Sequence, residues 1–220
     1  VRAGRQHTVA LRELADRIDR ELGPFDRAHL DALARVDRAR FVRPGDEHRC
    51  FDDVPLALDD EGLATVSAPH AYLLSFRLLD LRAGDHLVEL GSGSGYGAAL
   101  ASDIVGSSGS VDTIEIAPPL ATRARELLAD RENVTVYDGD AMRPPDGISN
   151  VVRRVLFTFA IDEIPEAWLS RLPCGGVIVA PVSTRPNAQD QKLVRIEQTF
   201  GGRRTTEHGA VRYVRNRSPS

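Results

Sequence analysis

The stretch that most constrains this chain is Asp85-His86-Leu87-Val88-Glu89-Leu90-Gly91-Ser92-Gly93-Ser94-Gly95-Tyr96. Leu87, Val88 and Leu90 make a short apolar run of the kind that is buried as a strand. Three glycines at alternate positions follow, and residues 96–101 open a helix. Glycine is needed where the backbone turns sharply and a ligand must approach closer than a Cβ would permit. About 20 residues past Gly95, the run Val111-Asp112-Thr113-Ile114-Glu115-Ile116 carries a carboxylate at the end of a second strand, the placement that binds ribose hydroxyls. Together the two runs point to an α/β fold with a nucleoside-binding cleft. The spacing is G-x-G-x-G, not the G-x-G-x-x-G of pyrophosphate binders.

The remainder of the chain extends that alternation. Apolar residues at helical spacing predict a helix over 9–22 (Val9, Leu11, Leu14, Ile18, Leu22) that stops at Gly23-Pro24. A second helix is expected over 26–36, with Leu30, Leu33 and Val36 on one face. Residues 46–66 read as a loop with acidic pairs at Asp52-Asp53 and Asp59-Asp60, taken as a solvated face because no histidine joins them at ligand spacing. A helix over 71–81 leads into the glycine stretch. Beyond it, strands are expected to end near Gly91, Ile116 and Tyr137, with helices over 96–104 and 118–131. A fourth strand fits 155–158, a short helix 165–172 and a fifth strand 177–182. Two more strand-like runs, 193–200 and 206–214, are joined by Gly201-Gly202. The pattern predicts a mostly parallel sheet with helices on both faces and an antiparallel hairpin closing one edge. One domain is expected, with residues 1–80 as helices and loop, 85–182 as the cofactor-binding core and 190–214 as the C-terminal strands.

Composition narrows the function classes. Apolar content of 42% and charged content of 27% are those of an ordinary globular protein. A net charge of −4 argues against a nucleic-acid-binding surface. No apolar run approaches the roughly 18 residues of a membrane span, and no signal peptide is visible. Cys50 and Cys174 stand far apart without metal-ligand spacing, so they read as free thiols. The expectation is a cytoplasmic, monomeric, metal-free enzyme with no nucleic-acid or membrane partner.

The Glu-Leu-Gly-Ser-Gly-Ser-Gly run resembles motif I of S-adenosylmethionine-dependent methyltransferases, and a more specific likeness surrounds it. Leu63-Ala64-Thr65-Val66-Ser67-Ala68-Pro69-His70 is similar to the active-site loop of protein-L-isoaspartate (D-aspartate) O-methyltransferases. So are residues 34–42, 134–140 (Val-Thr-Val-Tyr-Asp-Gly-Asp), 163–167 and 191–197, so the resemblance runs from about Leu30 to the end of the chain. It implies a Rossmann-like methyltransferase fold with S-adenosylmethionine as cofactor. It further implies that Glu89, Gly91, Ser92 and Gly93 line the methionine end and that Glu115 holds the ribose. Ile116 would lie against the adenine, with Asp140 and Ala141 at the adenine edge. Ser67 would orient the acceptor carboxylate beside the transferred methyl, assisted by Thr65. His70, Phe159, Ile161 and Asp162 fall on the acceptor side. The implied activity is esterification of isoaspartyl residues in proteins or peptides, whose esters close to a succinimide and revert in part to aspartate.

One departure qualifies the acceptor. After the fourth strand the family usually reads Thr-Ala-Ala-Ala-Pro, whereas this chain reads Thr158-Phe159-Ala160-Ile161-Asp162. An Asp162 facing the acceptor would repel a carboxylate. Two alternatives therefore stand beside isoaspartyl repair. One is a relative that methylates a dedicated acceptor, an aspartate of one biosynthetic peptide or a small acid. The other is a cofactor-binding scaffold without turnover.

Overall fold

The computed structural model describes residues 2–186 and 188–217. In chain order the elements are α1 (Arg2–Leu22), α2 (Arg27–Arg35), β1 (Leu56–Ala57), β2 (Thr65–Val66), α3 (Pro69–Leu79), β3 (His86–Leu90), α4 (Tyr96–Val105), β4 (Ser110–Glu115), α5 (Pro118–Leu127), β5 (Val134–Asp138), β6 (Arg154–Phe157), α6 (Glu166–Leu169), β7 (Val177–Ser183), β8 (Gln191–Thr199) and β9 (Gly202–Val211). Strands β3 to β9 form one sheet in the order β5-β4-β3-β6-β7-β8-β9, parallel from β5 to β7 and antiparallel across β8 and β9. Strands β1 and β2 make a small antiparallel ribbon inside the stretch expected to be loop.

Period-2 alternation splits the core between the two faces of the sheet. Leu87, Leu156, Val177 and Val179 join one buried cluster with residues from α1 to α4. Their neighbours Val88, Val155, Phe157 and Ile178 join a second cluster with Ile148, Ile164 and Trp168. The first face is covered by helices. The second is covered by α6 and irregular chain, because the expected helix over 165–172 shortens to a single turn, with Pro173 closing the segment that follows.

Other boundaries move for local reasons. Helix α1 begins at Arg2, and its buried stripe is Leu11, Leu14, Ala15 and Ile18. Val9 lies off that stripe and is 59% exposed, since two residues of helix rotate a side chain about 200° away from Leu11. Helix α3 starts at Pro69, two residues before the expected start, because proline is well suited to a first turn whose N–H has no partner. The last strand ends at Val211, not at 214. Residues 212–217 leave the sheet edge and return across it. Among the described residues, no helix is long and apolar enough to cross a membrane.

Strands β3, β4 and β5 progress outward in one direction and β6 and β7 in the other. The order reverses between β3 and β6. A crevice at the carboxyl ends of the strands is expected there.

Candidate active site

At the reversal point the glycine stretch adopts conformations that side chains would strain. Gly91, Gly93 and Gly95 have φ of +97°, +54° and +91°. A Cβ on Gly91 would also stand 2.4 Å from Thr158 Oγ1. Thr158, at the end of β6, closes the seam by donating to the carbonyls of Leu90 and Gly91 at 2.9 and 2.6 Å.

Above this turn lies a narrow, open-sided cleft. Gly91, Gly93, Glu115, Ile116 and Ala141 line it together with Thr65 and with Phe159, which was expected on the acceptor side, so the structure brings together seven of the residues expected from sequence. Glu115 accepts from the backbone N–H of Gly93 (Oε2, 2.8 Å) and of Ala117 (Oε1, 3.0 Å). A carboxylate has about four acceptor directions, which leaves two for vicinal hydroxyls. Burial raises the Glu115 pKa, opposed by those same two amide bonds. Ala141 is fixed from below, where the Trp168 indole donates to its carbonyl at 2.8 Å. Phe159 packs edge-on against Phe157, with ring centroids 5.7 Å apart.

Three expected cofactor residues lie elsewhere. Glu89 is 1% exposed and sits beneath the turn, where it accepts from Thr113 Oγ1 at 2.7 Å. Its carboxyl fills the space a Cβ on Gly97 would need, 1.9 Å away. Ser92 turns its hydroxyl inward to Thr113 Oγ1 at 2.6 Å, completing a buried chain Glu89–Thr113–Ser92. Burial pushes the Glu89 pKa up to about 8, so this carboxyl holds its proton at neutral pH. Asp140 accepts from the N–H of Met142 at 2.9 Å, shaping the bend that presents Ala141.

A second, wider cleft adjoins the first and holds Ser67 and His70. Thr65, Val214 and Arg215 line both clefts and form the partition between them. Ser67 is 9% exposed and sits directly after β2, just ahead of α3. His70 does not stand alone. Its Nδ1 lies 2.9 Å from Asp53 Oδ2, and its backbone N–H donates to Asp53 Oδ1 at 2.9 Å, which ties the first turn of α3 to the preceding loop. Burial works against the Asp53 charge, but the His70 bonds outweigh it and hold the carboxyl below its ordinary range.

Of the other acids of that loop, Asp59 is tied down while Asp52, Asp60 and Glu61 stay exposed. Asp59 accepts from the N–H of Leu63 and pairs with Arg217, and Asp60 pairs with Arg43.

Ser67 is held from behind by a residue that sequence reading did not single out. Arg38 is fully buried, and its guanidinium donates to the carbonyls of Asp52 (2.8 Å), Val54 (2.7 Å) and Ser67 (3.2 Å). It lies 5.9 Å from the Tyr96 ring centroid. In the sequence it stands in Arg-Ala-Arg, with nothing to separate it from a surface arginine.

The acceptor-side expectations are only partly met by the geometry. Ile161 is 2% exposed and lines neither cleft. Its backbone pairs with the end of β7, through bonds to Pro181 and Ser183. Asp162 does not stand as an unpaired anion facing a substrate, because its Oδ1 accepts from Arg215 at 2.8 Å. The tail from 214 to 217 was also missed as a lining element. Its partners lie too far away in sequence for local patterning to find them.

Residues 17–218 match the family model for protein-L-isoaspartate(D-aspartate) O-methyltransferase. A protein-L-isoaspartate O-methyltransferase of Ignicoccus hospitalis is 39% identical over 72% of this chain and 75% of its own. A second enzyme of that name from Archaeoglobus fulgidus is 35% identical over 91% and 90%. One solved protein-L-isoaspartate O-methyltransferase superposes with a TM-score of 0.85 at 22% identity, over 94% of this chain and 65% of that longer one. A Plasmodium falciparum structure, described as containing S-adenosyl-L-homocysteine, superposes at 0.79 and 19% identity, over 94% and 98%. These superpositions establish the Rossmann-like methyltransferase fold.

Proposed function

Because the chain belongs to the protein-L-isoaspartate(D-aspartate) O-methyltransferase family, we propose that it transfers a methyl group from S-adenosylmethionine to the free carboxylate of an isoaspartyl residue in a protein or peptide. The observation that carries this reading is the pair of clefts meeting at Thr65, one holding Glu115 and the glycine turn, the other holding Ser67.

When bound, S-adenosylmethionine supplies an electrophilic methyl carbon on a sulfonium. The protein's part is to bind, align and exclude water. Glu115 accepts from the ribose hydroxyls with its two remaining acceptor directions, and Gly91 and Gly93 let the cofactor approach the backbone. Ile116 and Ala141 provide apolar walls for the base, and Asp140 holds Ala141 in place. Glu89 and Ser92 act from beneath, keeping the turn in the conformation that exposes its glycines.

The acceptor needs no general base. A carboxylate with a pKa near 4 is ionised at pH 7, so catalysis rests on alignment. Ser67 donates to the acceptor carboxylate and orients it, with Thr65 at the opening between the clefts. His70, fixed by Asp53, lines the acceptor cleft as a positioning group. Arg38 keeps Ser67 in register through its backbone carbonyl.

The test is methyl transfer from labelled S-adenosylmethionine to two matched peptides, one with isoaspartate and one with aspartate. Base-labile label on the isoaspartyl peptide alone is expected. Label on neither peptide, with cofactor binding intact, would overturn the acceptor assignment.

A further inference from the structure

The partition between the two clefts is made by the C-terminal tail, and its attachment is unusual. Beyond β6 the chain continues as a short extended segment, residues 160–161, with a different neighbour on each side. Ile161 bonds to the end of β7, while Ala160 donates to the Val214 carbonyl at 2.7 Å and accepts from Asn216 N–H at 3.0 Å. Thr158 N–H, two residues earlier, bonds to Leu90 of β3. Residues 158 and 160 point to the same side of an extended chain, so the tail occupies the place β3 vacates when it turns at Gly91.

Two main-chain bonds with Ala160 fasten the tail there. Gln191 holds its preceding residue, with the side-chain amide donating to and accepting from the Tyr213 backbone at 3.0 and 2.7 Å. Arg217 adds its pair with Asp59, and Arg215 makes the contacts nearest the partition. One guanidinium nitrogen donates to the Ala188 carbonyl at 2.7 Å, and the other donates to Asp162 at 2.8 Å. Asp162 is the only carboxylate recorded against Arg215 among the described residues.

We propose that Asp162 is a positioning residue for methyl transfer: by holding Arg215 it sets the partition between the cofactor and acceptor clefts. Asp162 itself lines neither cleft, so it acts through Arg215 and not by touching substrate. The pair has a second effect. A guanidinium engaged by Asp162 and by Ala188 is not free to capture the acceptor carboxylate away from the methyl carbon. The proposal rests on the isoaspartyl reading for its kinetic consequence, but not for its structural one.

The experiment compares wild type with Asp162→Ala, Arg215→Ala and the double variant, by hydrogen exchange and by kinetics with an isoaspartyl peptide. In Asp162→Ala, exchange at the amides of Ala160 and Asn216 should accelerate while the β7–β8 ladder keeps its protection. The peptide KM should rise about tenfold with kcat at saturation within about twofold, the pattern of acceptor binding lost equally from ground state and transition state when the partition shifts. The double variant should be no worse than Arg215→Ala alone, because both residues act through one contact. Unchanged exchange at 160 and 216, an unchanged KM, or additive losses would each overturn the proposal. If wild type methylated no isoaspartyl peptide while the exchange change occurred, the substrate assignment would fail and the holding role of Asp162 would stand.

Discussion

At the scale of single residues, the two carboxylates of the glycine region have opposite assignments, and substitution should separate them. Glu115→Ala removes the acceptor for the ribose and should weaken S-adenosylhomocysteine by about tenfold or more, as loss of hydrogen bonds to a charged group does. Titration calorimetry reads this directly, and an unchanged affinity would refute the ribose role. Ser67→Ala should instead lower kcat by about tenfold to a hundredfold through lost orientation, with the affinity for S-adenosylhomocysteine preserved. Glu89 is tested by pH. Its folded pKa is about 8 against 4.5 for the free group. Between those values the unfolded chain has released the proton while the folded chain keeps it, so stability from this group falls as pH rises through the window and levels off above it. Glu89→Gln lacks that slope. Thermal unfolding should show the variant and wild type about equal near pH 5, with the variant more stable by a few kcal/mol near pH 8. Equal pH dependence of the two proteins would contradict the raised pKa. The roles of Glu115 and Glu89 were not equally legible. An acid closing the strand after the glycine turn can be read from spacing alone. The direction of Glu89 and Ser92 depends on how the turn folds, and motif membership does not reveal that both point beneath it.

At the scale of elements, the 46–66 stretch shows what patterning cannot supply. Its acids read as a solvated face, and Asp52, Asp60 and Glu61 are exposed, but Asp53 ties to His70 and Asp59 to Leu63 and Arg217. The stretch is organised from within by Arg38, whose guanidinium satisfies carbonyls at 52, 54 and 67. Arg38→Leu would leave those buried acceptors without a donor, a cost of about 3 kcal/mol. That corresponds to a Tm lower by roughly 10 °C for a chain of this size. Limited proteolysis should then cut within 46–66 before anywhere else, whereas cleavage spread evenly over the chain would argue against a local clamp. The large helices and the parallel strands were legible because each carries its own period. The β1–β2 ribbon was not, since two-residue strands have no period to read. The expected helix over 165–172 shortened to α6 for the converse reason: its apolar residues pack beneath β6 and β7 whether or not they are helical.

At the scale of the whole molecule, the site is assembled from distant parts of the chain. The glycine turn and Glu115 come from the sheet, Ser67 from the segment before α3, and the partition from the last residues described. The motifs located the sheet-borne half, while the tail contributes through contacts with Gln191, Ala160 and Asp162 that are 22 to 56 positions away. The same long-range wiring leaves a practical signal. Trp168 is the one tryptophan of the sequence, wholly buried, and its indole donates to the carbonyl of Ala141 in the cofactor cleft. The molecule thus carries a single tryptophan, excitable apart from its tyrosines, wired to the floor of its binding site. Titration with S-adenosylhomocysteine should shift or quench that emission along a saturable curve whose midpoint matches the calorimetric Kd. Glu115→Ala should move the midpoint to higher concentration, and a flat trace in wild type would show that the cleft floor does not register its ligand. No label need be attached to follow occupancy in real time.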